Sequence, residues 1–209
     1  MTDDHSLLAA QLADAGRHLV ERGLVQASGG NLSVRLPGTD RFLVTAGGTW
    51  LDRLGPDDLA ELTLDGEHVG GADRPSVEWR LHQRTYQERA DVTAVVHLHP
   101  QHVLLVDMLG APIRFTTLDH RYYVGHYGRV PFRPAGTTEL ADLAAEAVRE
   151  HDAVVLAHHG CSTVGDSVSM ALRRALNLEE AATMTYRLLL AGDTTADFPG
   201  EWRDRIIDV

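Results

Sequence analysis

The sequence has little cysteine, no long apolar run and no surplus of basic residues. Cys161 is the only cysteine among 209 residues, so no disulfide can form within the chain, as is typical of a reducing cytoplasm. No apolar stretch approaches the roughly 20 residues needed to cross a bilayer. The acidic N-terminus also lacks the basic start and the small-residue cleavage site of a secretory signal. We therefore expect a cytoplasmic protein with no membrane partner.

The charge balance is acidic. Thirty Asp and Glu residues against 19 Lys and Arg give a formal net charge of -11. A protein that binds nucleic acid needs clustered basic residues, and here they are scattered among acids, so we expect no nucleic-acid partner. A metal ion and a few local donors could still attract a small anionic substrate into a cleft. The length fits a single domain over residues 1–209.

Helical and strand patterns intermix along the chain. Short apolar or alternating segments separate the helices, and tight turns such as HHG-CSTVG favour antiparallel neighbours. Residues 111–134 have an irregular pattern that ends in the strand-like RVPF, and Ser76 is the predicted N-cap of its helix. We expect an α/β fold with a mixed, largely antiparallel central sheet covered by helices on both sides. The predicted helices cover residues 6–23, 77–90, 101–109, 137–151 and 168–192.

Two histidine clusters each end an apolar strand. His97 and His99 are two residues apart on one strand, so their side chains share a face, roughly 6–7 Å apart at the backbone. That spacing suits a shared ion with Zn–N bonds of about 2.1 Å. In the second cluster, His158 and His159 are adjacent and should point in opposite directions along a strand. One of the two should therefore complete a three-histidine site, and spacing alone does not choose between them.

Other polar residues compete for a role at this site. Glu78, in the first turn of its helix, is the best acid–base candidate, although a carboxylate at such a position is more often simply solvated. His82, one turn further along, fits packing or hydrogen bonding under the sheet better than metal binding. The glycine turns at residues 29–30 and 47–48 could form a cradle of exposed backbone N–H groups. Cys161 fits a small buried hydrophobic side chain, because no activating base is evident.

Four segments, in this order along the chain, resemble the class II aldolase/adducin family. They are GLVQASGGNLSVR, LVTAGG, PSVEWRLHQRTYQERADVTAVVHLH and VLAHHG. Within that family the chain is most similar to the L-fuculose-1-phosphate aldolases. The resemblance covers roughly residues 6–191. It implies one divalent ion per subunit, usually Zn²⁺, although the same ligand types also accept Mn²⁺, Co²⁺, Ni²⁺ or Fe²⁺. It further implies a homotetramer with active sites between subunits.

The resemblance also assigns roles to residues. It selects His159 over His158 to join His97 and His99 as the metal ligands. Glu78 becomes the proton-transferring group. A tyrosine from a loop commonly protonates the aldehyde oxygen, and Tyr122 and Tyr123 are the nearest candidates here. Five residues match the family's substrate and phosphate contacts or adjoin them in the glycine turns at residues 29–30 and 47–48. They are Gly30, Asn31, Gly47, Gly48 and Ser76.

The activity that the resemblance implies is reversible retro-aldol cleavage of a small ketose phosphate through a metal-stabilised enediolate. Three positions depart from the family pattern: Gly47 and Val77 replace hydroxyl residues, and Phe132 stands where a loop tyrosine is expected. Arg121 or Arg133 could supply the lost phosphate contacts. The alternatives are a dehydratase, decarboxylase or epimerase on the same fold, and a non-catalytic adducin-like interaction module.

Overall fold

A computed structural model describes residues 2–202 and contains one eight-stranded sheet. The strand order is β4-β3-β2-β1-β5-β8-β7-β6, and every neighbouring pair is antiparallel except β6 and β7, which are parallel. The predicted mixed, largely antiparallel sheet is confirmed. The strands are β1 (Asn31–Arg35), β2 (Arg41–Thr45), β3 (Leu59–Thr63), β4 (His68–Gly71), β5 (Ala94–Leu98), β6 (Gly128–Val130), β7 (Ala153–Leu156) and β8 (Gly160–Gly165).

Six α-helices cover the two faces of the sheet. One face packs against α1 and α6, with α3 and α4 beside α6, and the other packs against α2 and α5. None of the helices within residues 2–202 is long and apolar enough to cross a bilayer. The helices are α1 (Thr2–Glu21), α2 (Trp79–Glu88), α3 (Gln101–Met108), α4 (Leu118–Tyr123), α5 (Thr138–Val148) and α6 (Val168–Leu190).

The alternation of side chains along β1 and β5 determines which residues reach each face. Leu32 and Val34 of β1 point into the core beneath α1 and α6, so Asn31 and Ser33 point toward α2. In the sheet register, Asn31 lies opposite His97 on β5, and His97 lies opposite Ser162 on β8. Three strands thereby place polar side chains together at one end of the α2 face.

Several local predictions need correction. Residues 111–134 are not irregular throughout, because Thr117 caps α4 with a hydrogen bond from the His120 amide. The strand-like end of this segment is present as Gly128–Val130, which pairs with β7. Strand β4 was not predicted, since its glycine-rich sequence lacks the apolar alternation that marks a strand. Ser76 is not the N-cap of α2. Its amide donates to Thr45 O (2.9 Å) and its Oγ accepts from the Glu78 amide (3.3 Å), so Ser76 opens a turn ahead of the helix, which begins only at Trp79.

Candidate metal centre and adjoining cavity

His97 and His99 converge at the end of β5. His97 is fully buried, and its Nδ1 lies 3.2 Å from Ser162 Oγ on the neighbouring strand. This contact leaves His97 Nε2 directed at His99 Nε2, 3.1 Å away. A hydrogen bond at one ring nitrogen orients an imidazole so that the other nitrogen can ligate a metal ion. The same-face prediction for this pair is confirmed.

His159 reaches the same point from a tight turn. Leu156 and Gly160 are paired across β7 and β8, so residues 157–159 form the connection between the strands. The prediction that His158 and His159 alternate on a strand is therefore wrong, although they still diverge. His158 has a positive φ of 57° and is exposed, with its ring 6.4 Å from that of Phe132. Only His159 turns toward His97 and His99.

The three imidazole rings form a nearly equilateral triangle. Their centroids are 5.0 Å apart for His97 and His99, 4.9 Å for His97 and His159, and 5.0 Å for His99 and His159. With metal–nitrogen bonds of about 2.1 Å in tetrahedral geometry, two ligand nitrogens lie about 3.4 Å apart. The 3.1 Å separation of the His97 and His99 Nε2 atoms is close to that value.

Glu78 closes the group from the start of α2. Its Oε2 lies 3.2 Å from His97 Nε2, and its Oε1 lies 3.2 Å from His159 Nε2. Glu78 occupies the N-cap position rather than the first turn, and its side chain makes no capping hydrogen bond. At 5% exposure it is not the solvated carboxylate that its position in the sequence favours.

The ionisation of Glu78 depends on the neighbouring histidines. Burial by itself raises the pKa of this carboxyl, but hydrogen bonds and charge from His159 and His97 outweigh burial and hold the pKa well below its usual range. Glu78 is therefore a carboxylate at neutral pH. Burial, together with the neighbouring His97 and His159, lowers the pKa of His99 to about 4, while Glu78 opposes that shift. His99 is consequently neutral at pH 7, as a metal ligand must be.

The donor set fits a divalent ion. One ligand atom from each of Glu78, His97, His99 and His159 lies within 4.8 Å of all the others, the one such group within residues 2–202. His159 Nδ1 is buried without a hydrogen-bond partner, and Glu78 Oε1 is buried with His159 Nε2 3.2 Å away. Three imidazoles and a carboxylate are ligands that Zn²⁺ and similar ions accept. These residues could therefore hold a divalent ion.

Asn31 lies behind Glu78, at the start of β1. Its Nδ2 donates to Glu78 Oε2 (3.0 Å), and its Oδ1 makes a short contact with His82 Nε2. His82 is fully buried and is not part of the metal-binding group, which confirms its predicted position under the sheet. Sequence reasoning matched Asn31 to a substrate contact. In the structure, one of the two hydrogens on its Nδ2 is donated to Glu78.

A cavity of about 370 Å³ adjoins the histidines. Both predicted glycine turns line it, with Gly30 and Asn31 on one side and Gly47 and Gly48 on the other, and Ser76, Glu78 and His99 complete the wall. The amides of Gly30 and Gly48 donate to no acceptor within residues 2–202, whereas that of Gly47 donates to Arg74 O (3.0 Å). The predicted cradle of backbone N–H groups is thus partly available to a ligand.

The arginine that lines this cavity is one that sequence reasoning missed. Arg74 is exposed beside the glycine turns, and its guanidinium pairs with no acid in the part of the chain that the structure describes. The two arginines considered from the sequence are occupied elsewhere. Arg121 donates to Gly125 O (2.9 Å), and Arg133 donates to Glu139 Oε1 (2.5 Å). The signal in the sequence was the position of Arg74 immediately before the PSVE segment.

The predicted tyrosines lie away from this cavity within the single chain. Tyr123 accepts a hydrogen bond from Arg173 on α6 (3.2 Å), and Tyr122 stacks against it edge to face with centroids 4.9 Å apart. Neither residue lines the cavity. The role of Tyr122 or Tyr123 stays a prediction that requires a neighbouring subunit.

The family model described as "Class II Aldolase and Adducin N-terminal domain" matches residues 10–186, most of the chain. The chain belongs to the class II aldolase/adducin family. Its relatives include the 5-methylthioribulose-1-phosphate/5-deoxyribulose-1-phosphate aldolase of Rhodospirillum rubrum, which is 33% identical over 94% of this chain and 88% of its own length. The L-fuculose phosphate aldolase of Methanocaldococcus jannaschii is 32% identical over 83% of this chain and 93% of its own.

Solved structures agree with this membership. The L-fuculose-1-phosphate aldolase of Thermus thermophilus superposes with a TM-score of 0.79, at 32% identity over 90% of this chain and 98% of its own. YgbL from Klebsiella pneumoniae superposes with a TM-score of 0.88, at 28% identity over 97% and 99% of the two chains. The fold expected from the family resemblance is confirmed.

Proposed function

We propose that this class II aldolase-family chain is a divalent-metal-dependent lyase that cleaves a small ketose phosphate by a reversible retro-aldol reaction. The observation that carries the proposal is the group of three imidazoles and Glu78, whose ligand atoms converge beside an open cavity. The relatives named above act on phosphorylated ketoses. Their substrates therefore suggest the substrate class for this chain.

The amino-acid composition supports a metal-dependent route. All 19 residues counted as Lys or Arg are arginines, so the 209 residues contain no lysine. A lysine amine is the group that forms a Schiff base with a carbonyl substrate. This chain has no side chain for that route, and stabilisation of the charge on the cleaved ketose must come from elsewhere.

The three histidines would hold the ion. A divalent ion, most simply Zn²⁺, would supply Lewis-acid polarisation of the ketose oxygens there. Ser162 keeps the His97 ring in its ligating orientation through the Nδ1 contact. An open coordination position for substrate is typical of catalytic metal sites with three protein ligands.

Glu78 is the proton carrier in this proposal. As a buried carboxylate at the edge of the cavity, it can accept a proton from the carbon next to the carbonyl in the aldol direction and return that proton during cleavage. Its Oε1 lies 3.2 Å from His159 Nε2, whereas Oε2 accepts a hydrogen bond from Asn31 Nδ2. A His159 Nε2 that ligated the ion would donate nothing to Oε1, which would leave Oε1 as the oxygen for this proton.

The far end of the cavity would take the phosphate. Backbone amides of Gly30 and Gly48 and the hydroxyl of Ser76 can donate to phosphate oxygens, and Arg74 adds a positive charge beside them. Arg74 would compensate for the hydroxyl groups absent at Gly47 and Val77. A homotetramer with a tyrosine from the adjacent subunit as the acid would complete the family pattern.

The proposal is tested by metal analysis and by cleavage assays with a panel of ketose 1-phosphates and their unphosphorylated forms. We expect one divalent ion per chain and cleavage to a shorter aldehyde. His97→Ala should lose both the ion and the activity. His158→Ala is the matched control, because His158 is exposed and outside the metal-binding group, and it should retain both.

Glu78→Gln separates proton transfer from metal binding. It should retain the ion through the three histidines and lose about 10²–10⁴-fold in kcat, the range typical of a general acid–base group. Protein that binds no ion stoichiometrically, or His97→Ala protein that cleaves at the wild-type rate, would overturn the proposal. Loss of water or carbon dioxide in place of an aldehyde would identify the dehydratase or decarboxylase alternative.

A further inference from the structure

A chain of polar side chains runs from the candidate active site into the protein interior. It joins residues of β1 and α2 on the α2 face of the sheet. All of its members are buried, with exposures of 5% or less. In order, they are Glu78, Asn31, His82, Ser33 and Tyr86.

Consecutive members of this chain are in hydrogen-bond contact. Asn31 Nδ2 lies 3.0 Å from Glu78 Oε2, and Asn31 Oδ1 contacts His82 Nε2. His82 Nδ1 lies 2.6 Å from Ser33 Oγ, which in turn lies 2.6 Å from the Tyr86 hydroxyl. Buried polar groups connected in this way rigidify the structure when every member is satisfied.

With a neutral His82, only one arrangement of hydrogens satisfies all four contacts. A carboxylate can only accept, so Asn31 must present its NH₂ group to Glu78 and its oxygen to His82. His82 must then carry its hydrogen on Nε2, which leaves Nδ1 as an acceptor for the Ser33 hydroxyl. The Ser33 oxygen consequently accepts from Tyr86. Every donor in the chain points toward Glu78.

The electrostatic environment preserves this arrangement. Burial, followed by the nearby His97, lowers the pKa of His82 to about 3, although Glu78 opposes the shift. Burial raises the pKa of the Tyr86 phenol well above its usual range, against smaller opposing effects from Ser33 and Arg35. Both groups are therefore neutral near pH 7, and neither reverses the direction of the hydrogen bonds.

We propose that His82 is a positioning residue, which acts through Asn31 to hold Glu78 Oε2 in place, so that Oε1, on the His159 side, is the oxygen that takes the substrate proton. This inference rests on the proposed function, because it assigns Glu78 the role of proton carrier. Without a donor at the His82 ε position, Asn31 Oδ1 loses its hydrogen-bond partner, and only the Glu78 carboxylate still opposes rotation of the Asn31 amide. Its rotated form would present an oxygen to a carboxylate.

Two substitutions at His82 distinguish positioning from simple packing. A glutamine amide can reach the position of His82 Nε2 and donate to Asn31, whereas the shorter asparagine amide reaches only the level of Nδ1, beside Ser33. We expect His82→Asn to lower kcat about 10–100-fold, the usual effect of losing a hydrogen bond that orients an active-site group. KM and metal content should change less than about twofold. His82→Gln should recover kcat to within about threefold of wild type.

The exposed His18 on α1 offers a matched control, and His18→Asn should behave as wild type. Equal kcat values for His82→Asn and His82→Gln, whether both high or both low, would overturn the proposal. If His82→Asn does not fold, Ser33→Ala tests the same chain from its other side. It removes the donor to Nδ1, and we expect a smaller loss of kcat with unchanged metal content. An unchanged kcat in Ser33→Ala would then count against the proposal.

A spectroscopic test uses the wild-type protein. ¹⁵N-histidine NMR of the zinc-loaded protein should show His82 as the neutral Nε2–H tautomer from pH 5 to pH 9. Observation of the Nδ1–H tautomer would refute the proposed direction of the hydrogen bonds from Tyr86 to Glu78. This result does not depend on activity. If the wild-type protein cleaves no ketose phosphate, the proposed function fails while the tautomer is still measured. If the protein is active and the tautomer is reversed, only the inference about His82 fails.

Discussion

A methyl group added at Gly160 should damage both the sheet and the metal centre. Gly160 begins β8 immediately after His159, where it lies against the end of β5. A Cβ atom built there lies 2.1 Å from Leu98 O and 2.7 Å from His99 Cδ2, whereas ordinary contacts begin near 3.4 Å. The Leu98 backbone would have to move by about 1.3 Å and the His99 ring by about 0.7 Å to restore contacts of 3.4 Å.

These displacements predict two separate losses. Overpacking that shifts the backbone typically lowers the free energy of unfolding by about 1–3 kcal/mol. We expect a loss of about 3 kcal/mol for Gly160→Ala, because the nearest atom to the added methyl group is a carbonyl oxygen of a central strand. Metal–ligand distances tolerate about 0.2 Å, so moving the His99 ring should weaken zinc binding by about 10–100-fold.

Urea unfolding of the zinc-free protein measures the first loss, and a competition titration with a zinc chelator measures the second. The control is Gly200→Ala, because a Cβ at Gly200 meets nothing within 4 Å. That variant should remain within about 0.5 kcal/mol of wild type. A Gly160→Ala protein with wild-type zinc affinity would refute the placement of His99 against β8.

Three further perturbations have direct readouts. The pKa of His82 is about 3 in the folded protein against an ordinary 6.5, so the unfolded chain takes up a proton at this residue below pH 6.5 while the folded protein does not. The free energy of unfolding therefore falls on acidification below pH 6.5. Between pH 7 and pH 5, urea titrations of the zinc-free proteins should show a loss about 2 kcal/mol larger for wild type than for His82→Gln. Burial raises the pKa of the Cys161 thiol well above its usual range, so a disulfide reagent should label no thiol in the native protein and one in denaturant; rapid native labelling would contradict its complete burial. Thr117→Ala should lower the free energy of unfolding by about 1 kcal/mol, because its hydroxyl accepts the capping hydrogen bond from the His120 amide, and an unchanged melting temperature would argue against α4.

Local periodicity in the sequence predicts much of this molecule. The period-two spacing of His97 and His99 at the end of an apolar strand predicted that the two rings share a face, because strand geometry fixes that relation within three residues. The helix predicted over residues 6–23 is present within α1, which buries Leu12 and Leu19. Family resemblance, rather than spacing, selected His159.

Predictions failed where distant segments decide a local conformation. The start of α2 could not be located from Ser76, because Ser76 is hydrogen-bonded to Thr45 of β2 and its hydroxyl accepts from the Glu78 amide in a turn that precedes the helix. The adjacent histidines were expected to alternate along a strand, yet His158 and His159 lie in the connection that the pairing of β7 with β8 creates. Both outcomes depend on strand pairing that no short window of sequence contains.

The sequence by itself determined which side chains were available for chemistry: histidines at strand ends, a glutamate before a helix, glycine turns and a complete lack of lysine. Only the tertiary structure decided how they meet. Asn31 is 47 residues from Glu78, and His97 is 65 residues from Ser162, yet each pair is in contact. The register of β5 against β8 brings His97 to Ser162, and the register of β1 against β5 places Asn31 beside His97, because a shift of one residue would turn these polar side chains to the opposite face. The contact between Asn31 and Glu78 also requires α2 to pack on this face of the sheet.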